Sequence, residues 1–170
     1  MLRLQDPNNY WEQLERLEKL IRASELKAGV IFSFHSLILG LFVDNIERFK
    51  DVIMNDIILI IMVIAWFAFV AISIFFCFKC FKPSMQLRYN TNVFFFKDAA
   101  NQYESIEAYT EELIKICGSE EKLYQALAEQ IHAESVIIEG KFNNVKRSIT
   151  FFAISFLCVI ITAIYWIIFT

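Results

Sequence analysis

Ile57–Phe78 reads IILIIMVIAWFAFVAISIFFCF and holds no charged residue. A helix rises about 1.5 Å per residue, so about 20 apolar residues cross a hydrocarbon core of about 30 Å. This run meets that length, and so does the uncharged run Ser148–Thr170. A third run, Ala28–Val43, falls just short and is softened by Ser33, His35 and Ser36. Lys27 can snorkel to the interface, and Ile46 and Phe49 extend the apolar face past Asp44, so a first span over 28–48 is expected. A re-entrant or interfacial helix is the competing reading of that run.

The chain is 57% hydrophobic and 21% charged, with 4 Gly and 2 Pro in 170 residues. So few breakers predict long, unbroken helices. We therefore expect an all-α membrane protein: three transmembrane helices, two plus one, with a cytosolic helical bundle and no β domain. A net charge of −3 argues against a nucleic-acid partner. Residues 1–27 are charged and carry no apolar stretch near the start, so they read as an amphipathic helix rather than a signal peptide.

Asp6-Pro7-Asn8-Asn9 has the polar caps and early proline of a helix start. Trp11, Leu14, Leu17 and Ile21 then recur on one face, opposite the ion-pair spacings Glu15–Lys19 and Glu18–Arg22. This helix is expected to run straight into the first apolar segment. Residues 44–56 read as a loop, 57–78 as the second span, and Pro83 as its stop. A polar turn over 90–97 encloses Val93-Phe94-Phe95-Phe96, a helix follows over 98–116, and Ser119-Glu120-Glu121 caps a second long rod over 120–169. The region 79–147 is thus one helical segment between the second span and the third, 148–170.

Basic residues flank the runs unevenly. Arg16, Lys19, Arg22 and Lys27 precede the first run, Lys79, Lys82, Arg88 and Lys97 follow the second, and Lys141, Lys146 and Arg147 precede the third. The positive-inside rule puts the N-terminus and 79–147 in the cytoplasm and the C-terminus outside, in the periplasm if the membrane is a bacterial inner membrane.

Chemistry-bearing motifs are sparse. There is no Gly-rich phosphate loop, no H-E-x-x-H and no G-x-S-x-G, so no catalytic residues are assigned and no enzymatic activity is expected. Cys77-x-x-Cys80 allows a redox pair, half a metal site or palmitoylation, but no second pair completes a metal site, and the favoured reading is small apolar residues at a membrane edge. His35 and Ser36 lie in an apolar run and are candidates for a pore or gate; a histidine bonded to a neighbouring helix is the alternative. Phe94–Phe96, with Phe95 at their centre, could stack a nucleobase or pack on the bundle. Lys27, Lys97, Gln130, His132 and Lys141 are candidate contacts for an anion, or parts of a solvated face.

Three segments resemble Pycsar-type transmembrane effectors. Ala23-Ser24-Glu25-Leu26-Lys27-Ala28-Gly29-Val30-Ile31 is similar to the entry to their first membrane helix, and Asn92-Val93-Phe94-Phe95-Phe96-Lys97-Asp98-Ala99 to their aromatic motif. Leu127-Ala128-Glu129-Gln130-Ile131, followed by Lys141-Phe142, resembles their last cytosolic helix. The likeness covers roughly 10–170. It implies bacterial antiphage defence at the inner membrane. A nucleotide cyclase would act as functional partner through its product, a cyclic pyrimidine mononucleotide (cUMP or cCMP), with no other cofactor. The activated effector would disrupt the membrane as a homo-oligomer among membrane lipids. A membrane-anchored scaffold and a small constitutive ion channel are the other readings.

Overall fold

The computed structural model describes residues 6–82 and 91–169. About 90% of these are helical and none lies in a strand. The helices are α1 Asn8–Asp44, α2 Ile46–Asn55, α3 Ile57–Phe81, α4 Phe96–Asn101, α5 Ile106–Cys117 and α6 Glu120–Phe169. Helices α1, α3 and α6 are each long and apolar enough to cross a membrane. Pro83, Arg88 and Asn90, invoked above as a stop, a flank and a turn, lie outside the described residues.

Local chemistry explains the element ends. The Asp6 carboxylate accepts the Asn8 backbone N–H at 3.0 Å and so satisfies one of the donors a helix start leaves open. At the other end of α1 the Asn45 amide donates to the Leu41 carbonyl at 2.9 Å. The first helix therefore stops at Asp44 instead of continuing to 48. The segment read as a loop is helix α2, whose Phe49, Val52 and Ile53 share one face while Glu47, Lys50 and Asp51 are exposed. Asp56, in extended conformation, caps α3 by accepting from Ile58 N–H at 2.8 Å.

The helix expected over 98–116 is two helices. Asn101 turns its amide back to the Lys97 carbonyl at 2.8 Å, and Ser105 accepts from Ala108 N–H at 3.2 Å as the cap of a new helix. Such side-chain bonds offer the backbone an alternative to helix continuation. The rod over 120–169 is observed as α6, with Glu120 and Glu121 at its positive N-terminal end.

The chain forms two compact units. Unit 1 comprises 1–22 and 84–139, and its interior holds Leu17, Val93, Ala126, Leu127, Ala133 and Ile138. Asn92, 1% exposed, ties it together. Its amide donates to the Ala126 carbonyl at 2.8 Å, and its side-chain oxygen accepts from Phe94 N–H at 3.0 Å. Tyr109 donates to the Val93 carbonyl, and Trp11 meets Phe94 edge-on at 5.4 Å.

Unit 2 comprises 23–83 and 140–170. Phe32–Phe78 and Phe42–Trp66 contacts set α1 antiparallel to α3. Phe76–Phe151 and Asp56–Tyr165 contacts do the same for α6 and α3. Its buried positions repeat every seven residues: Leu59, Trp66, Ser73 and Cys80 on α3; Lys141, Ser148 and Ser155 on α6; Ala28 with His35 and Ser24 with Ile31 on α1. That spacing is the seam of a left-handed coiled coil. Outward, the unit shows Leu37, Leu41, Ile61, Ile64, Phe75, Leu157 and Ile161, each more than half exposed. An apolar outside around a partly polar inside is the arrangement expected of helices solvated by lipid.

Candidate functional site

The polar residues inside the spans converge in layers. Where the C-terminal end of α3 meets α1 and α6 in unit 2, Lys141 is 5% exposed, and its ammonium donates to Glu25 Oε1 at 2.7 Å and to the Cys80 carbonyl at 2.6 Å. The carbonyls of a helix's last turn lack intrahelical partners, so Lys141 supplies the donor that α3 needs and places positive charge at its negative end. One side chain thereby joins all three spanning helices. Ser24, fully buried, bonds with the Cys80 thiol in the same layer.

Two turns further along α6, Ser148 and Ser73 exchange bonds across the interface. Ser73 Oγ donates to the Ser148 carbonyl at 2.9 Å, and Ser148 Oγ donates to the Ser73 carbonyl at 3.1 Å. The Cys77 sulfur lies 3.0 Å from Ser148 Oγ. Next comes His35, 1% exposed, with its ring edge-on to Phe152 at 5.0 Å. Its Nε2 is buried and has no hydrogen-bond partner. Ser155 follows, bonded within α6 to the Phe152 carbonyl. Beyond it, a cavity of about 480 Å³ opens between α1, α2, α3 and α6, lined by Ile38, Phe42, Trp66 and Val159 with Asn45 and Thr162 as its polar members.

The sequence-derived candidates divide between the units. Phe95, Lys97, Gln130 and His132 belong to unit 1. Phe95 is half-buried at the start of α4, Lys97 is exposed on its first turn, and His132 is exposed on α6. Asn92 fastens the Phe95–Lys97 segment against the stretch of α6 that carries Gln130. Gln130 donates to Glu134 Oε1 at 2.8 Å, while Gln130 Oε1 and Glu134 Oε2 are buried without partners. Burial pushes the Glu134 carboxyl above its ordinary value; the Gln130 bond opposes this and the nearby Glu18 charge adds to it.

Lys27, His35, Ser36 and Lys141 belong to unit 2. Lys27 is exposed on α1. Lys141 is no free cation for an anion, because Glu25 and Cys80 already hold its ammonium. His35 and Ser36 do not share a face: His35 points inward, whereas Ser36 is exposed and donates to the Phe32 carbonyl at 3.0 Å. Adjacent helical residues are separated by about 100° of rotation, which is why both cannot line one path. Phe94, Phe95 and Phe96 likewise split: Phe94 packs on Trp11 and Phe96 is 76% exposed. Glu25, Ser24, Asn92 and Glu134 were not singled out as functional from sequence; the seven-residue spacing of Lys141, Ser148 and Ser155 would have pointed to the inward seam.

Three lipid-solvated helices with a polar interior, joined in sequence to a polar helical unit, define a small helical membrane protein with an accessory polar unit. Residues 9–168 match the family model of the Pycsar effector protein domain, and the chain belongs to that family. It is accordingly a bacterial antiphage membrane effector of the inner membrane. No curated protein and no solved structure matches the chain.

Proposed function

We propose that a cyclic pyrimidine mononucleotide, cUMP or cCMP made by a partner cyclase, binds the polar unit and switches the spanning unit into an oligomer that disrupts inner-membrane integrity. The observation that carries this reading is the run of two helices. Residues of α1 and of α6 belong to both units, and each helix is unbroken, over Asn8–Asp44 and Glu120–Phe169. A displacement of either helix within the polar unit is therefore transmitted by continuous backbone into two of the three spans.

Within unit 1, Phe95 offers a face for a pyrimidine, and Lys97 and His132 offer cations or donors for the phosphate. Gln130 Oε1 and Glu134 Oε2 are acceptors awaiting N–H donors such as those of a base. Lys27 serves as the basic edge of the first span. The basic flanks at 16–27, 79–82 and 146–147 support a cytoplasmic N-terminus and 79–147 segment and a periplasmic C-terminus. A ligand shifts such an equilibrium only by its differential affinity for the two states.

The test is co-expression with a cUMP-forming or a cCMP-forming cyclase, read with a potential-sensitive dye. Depolarisation with one cyclase and none with its inactive variant is expected. Polarised, dividing cells with either product would refute the reading. Crosslinking in membranes checks the oligomer: ladders should extend on nucleotide addition.

A further inference from the structure

We propose that the buried seam of unit 2 is a proton route, with His35 as its relay, so that the leak produced by this effector is carried by protons rather than by larger solutes. The proposal rests on the membrane-disrupting role above and names the species that crosses.

Four observations converge on His35. It is 1% exposed, and its Nε2 has no partner. Polar groups in hydrocarbon are costly and normally find partners, so an orphan here marks a group kept for another state. On its inner side lies the Ser73–Ser148–Cys77 cluster, followed by the Lys141–Glu25 pair. On its outer side, Ile38, one turn further along α1, already lines the cavity of about 480 Å³, whose polar members are Asn45 and Thr162. The hydroxyl cluster and the cavity therefore flank the imidazole along the seam, and Phe152 packs edge-on against its ring.

At rest the ring is shielded by its packing, 1% exposed and set edge-on to Phe152. When the helices loosen, water enters and meets the free nitrogen. A proton from the outer water adds to the Nε2 lone pair, forming the imidazolium. The Nδ1–H proton then leaves to water at the Ser148 hydroxyl cluster. Reorientation of the ring presents the now free Nδ1 to the outer water and Nε2–H to the cluster, so the next proton adds to Nδ1 as the Nε2–H proton leaves. One proton enters and one leaves. No Asp, Glu, Lys or Arg faces the ring from the spans, because none occurs between Lys27 and Asp44, between Asp56 and Lys79, or after Arg147. The other titratable groups on these segments are the Cys77, Cys158 and Tyr165 side chains.

The experiment reconstitutes the full chain in vesicles loaded with a pH-sensitive dye or with calcein, under a proton gradient with valinomycin and potassium. Wild type is measured alone and with cUMP or cCMP. Proton entry with calcein retained is expected, and His35→Phe, which keeps a ring against Phe152 but no titratable nitrogen, should return the flux to that of protein-free vesicles. A second arm needs no nucleotide. Phe152→Ala uncaps the ring and should conduct protons on its own, and adding His35→Phe should silence it. Phe152→Leu replaces the alanine variant if that variant does not fold. The proton route is overturned if the Phe152 variants are silent, if their flux survives His35→Phe, or if calcein escapes together with protons. If Phe152→Ala conducts through His35 while neither nucleotide acts on wild type, the route stands and the nucleotide reading falls.

Discussion

Lys141 holds three helices together, and the two ends of its ion pair should respond unequally to mutation. Its side chain is 6% exposed, whereas that of Glu25 is 40% exposed. Lys141→Met leaves Glu25 free to turn to water at about 0–1 kcal/mol. It also strips the Cys80 carbonyl of its donor, worth about 1–3 kcal/mol for a buried acceptor, so a loss of about 2 kcal/mol is expected. Glu25→Ala leaves the ammonium buried with only a carbonyl. Breaking a fully buried pair costs about 3–5 kcal/mol, and the half-open site should bring this to about 3 kcal/mol. The double variant removes both charges and should cost little more than Lys141→Met alone, with a coupling energy of about 2–3 kcal/mol. Unfolding in detergent, followed by helical circular dichroism across a denaturant titration, measures all three. If Lys141→Met proves the costlier single change, or if the coupling falls below about 0.5 kcal/mol, the bridge is a surface pair and the reasoning is wrong.

Ser148→Ala removes a hydroxyl that meets Ser73 and Cys77, and should cost about 1 kcal/mol in the same titration, within the range for interhelical hydrogen bonds in membranes. Asn92→Ala orphans the Phe94 N–H and the Ala126 carbonyl contact, and should destabilise unit 1 by about 2–3 kcal/mol, seen as faster amide exchange over 92–98. Glu134 has its pKa raised in the folded state, chiefly by burial. The cost of ionising it is absent below its ordinary 4.5 and sets in as pH rises through the range above that value, so unit 1 should be more protected from amide exchange under mild acid than at neutral pH. Glu134→Gln should abolish that difference; an unchanged pH profile in the variant would exclude Glu134 as its source.

The spans and the two rods were legible because hydrocarbon imposes long uncharged runs, and those survive any local detail. The start at Asp6 and the rod beginning beside Ser119 were legible because their bonds are local. Helix α2 was not, because Glu47, Arg48, Lys50 and Asp51 read as loop when charge is averaged along the segment. The apolar face through Phe49, Val52 and Ile53 shows only when position around a helix is followed. The break between α4 and α5 escaped because it depends on which bond the Asn101 and Ser105 side chains choose. The polar seam escaped for a related reason. Ser73 and Cys77 look like soft spots in a greasy run until α6 brings Ser148 opposite them, and that pairing across 75 positions has no trace in either segment alone. Lys141 read as a cytosolic cation because its partners, Glu25 and the end of α3, are equally remote in sequence.

The composition of that seam bears on how the spanning unit can switch. In lipid, apolar side chains gain nothing by leaving the solvent, so the helices adhere through packing, the Lys141 bridge, the serine layer and edge-on aromatic pairs. Layers held by about 1–3 kcal/mol each can open singly. On the proposed mechanism, a ligand present at about 100 times its dissociation constant, and bound only by the active state, supplies about 2.7 kcal/mol. That is enough to open a single layer and too little to separate three helices. An opened layer next to His35 admits water files and protons, whereas a pore wide enough for dyes requires every layer to give way.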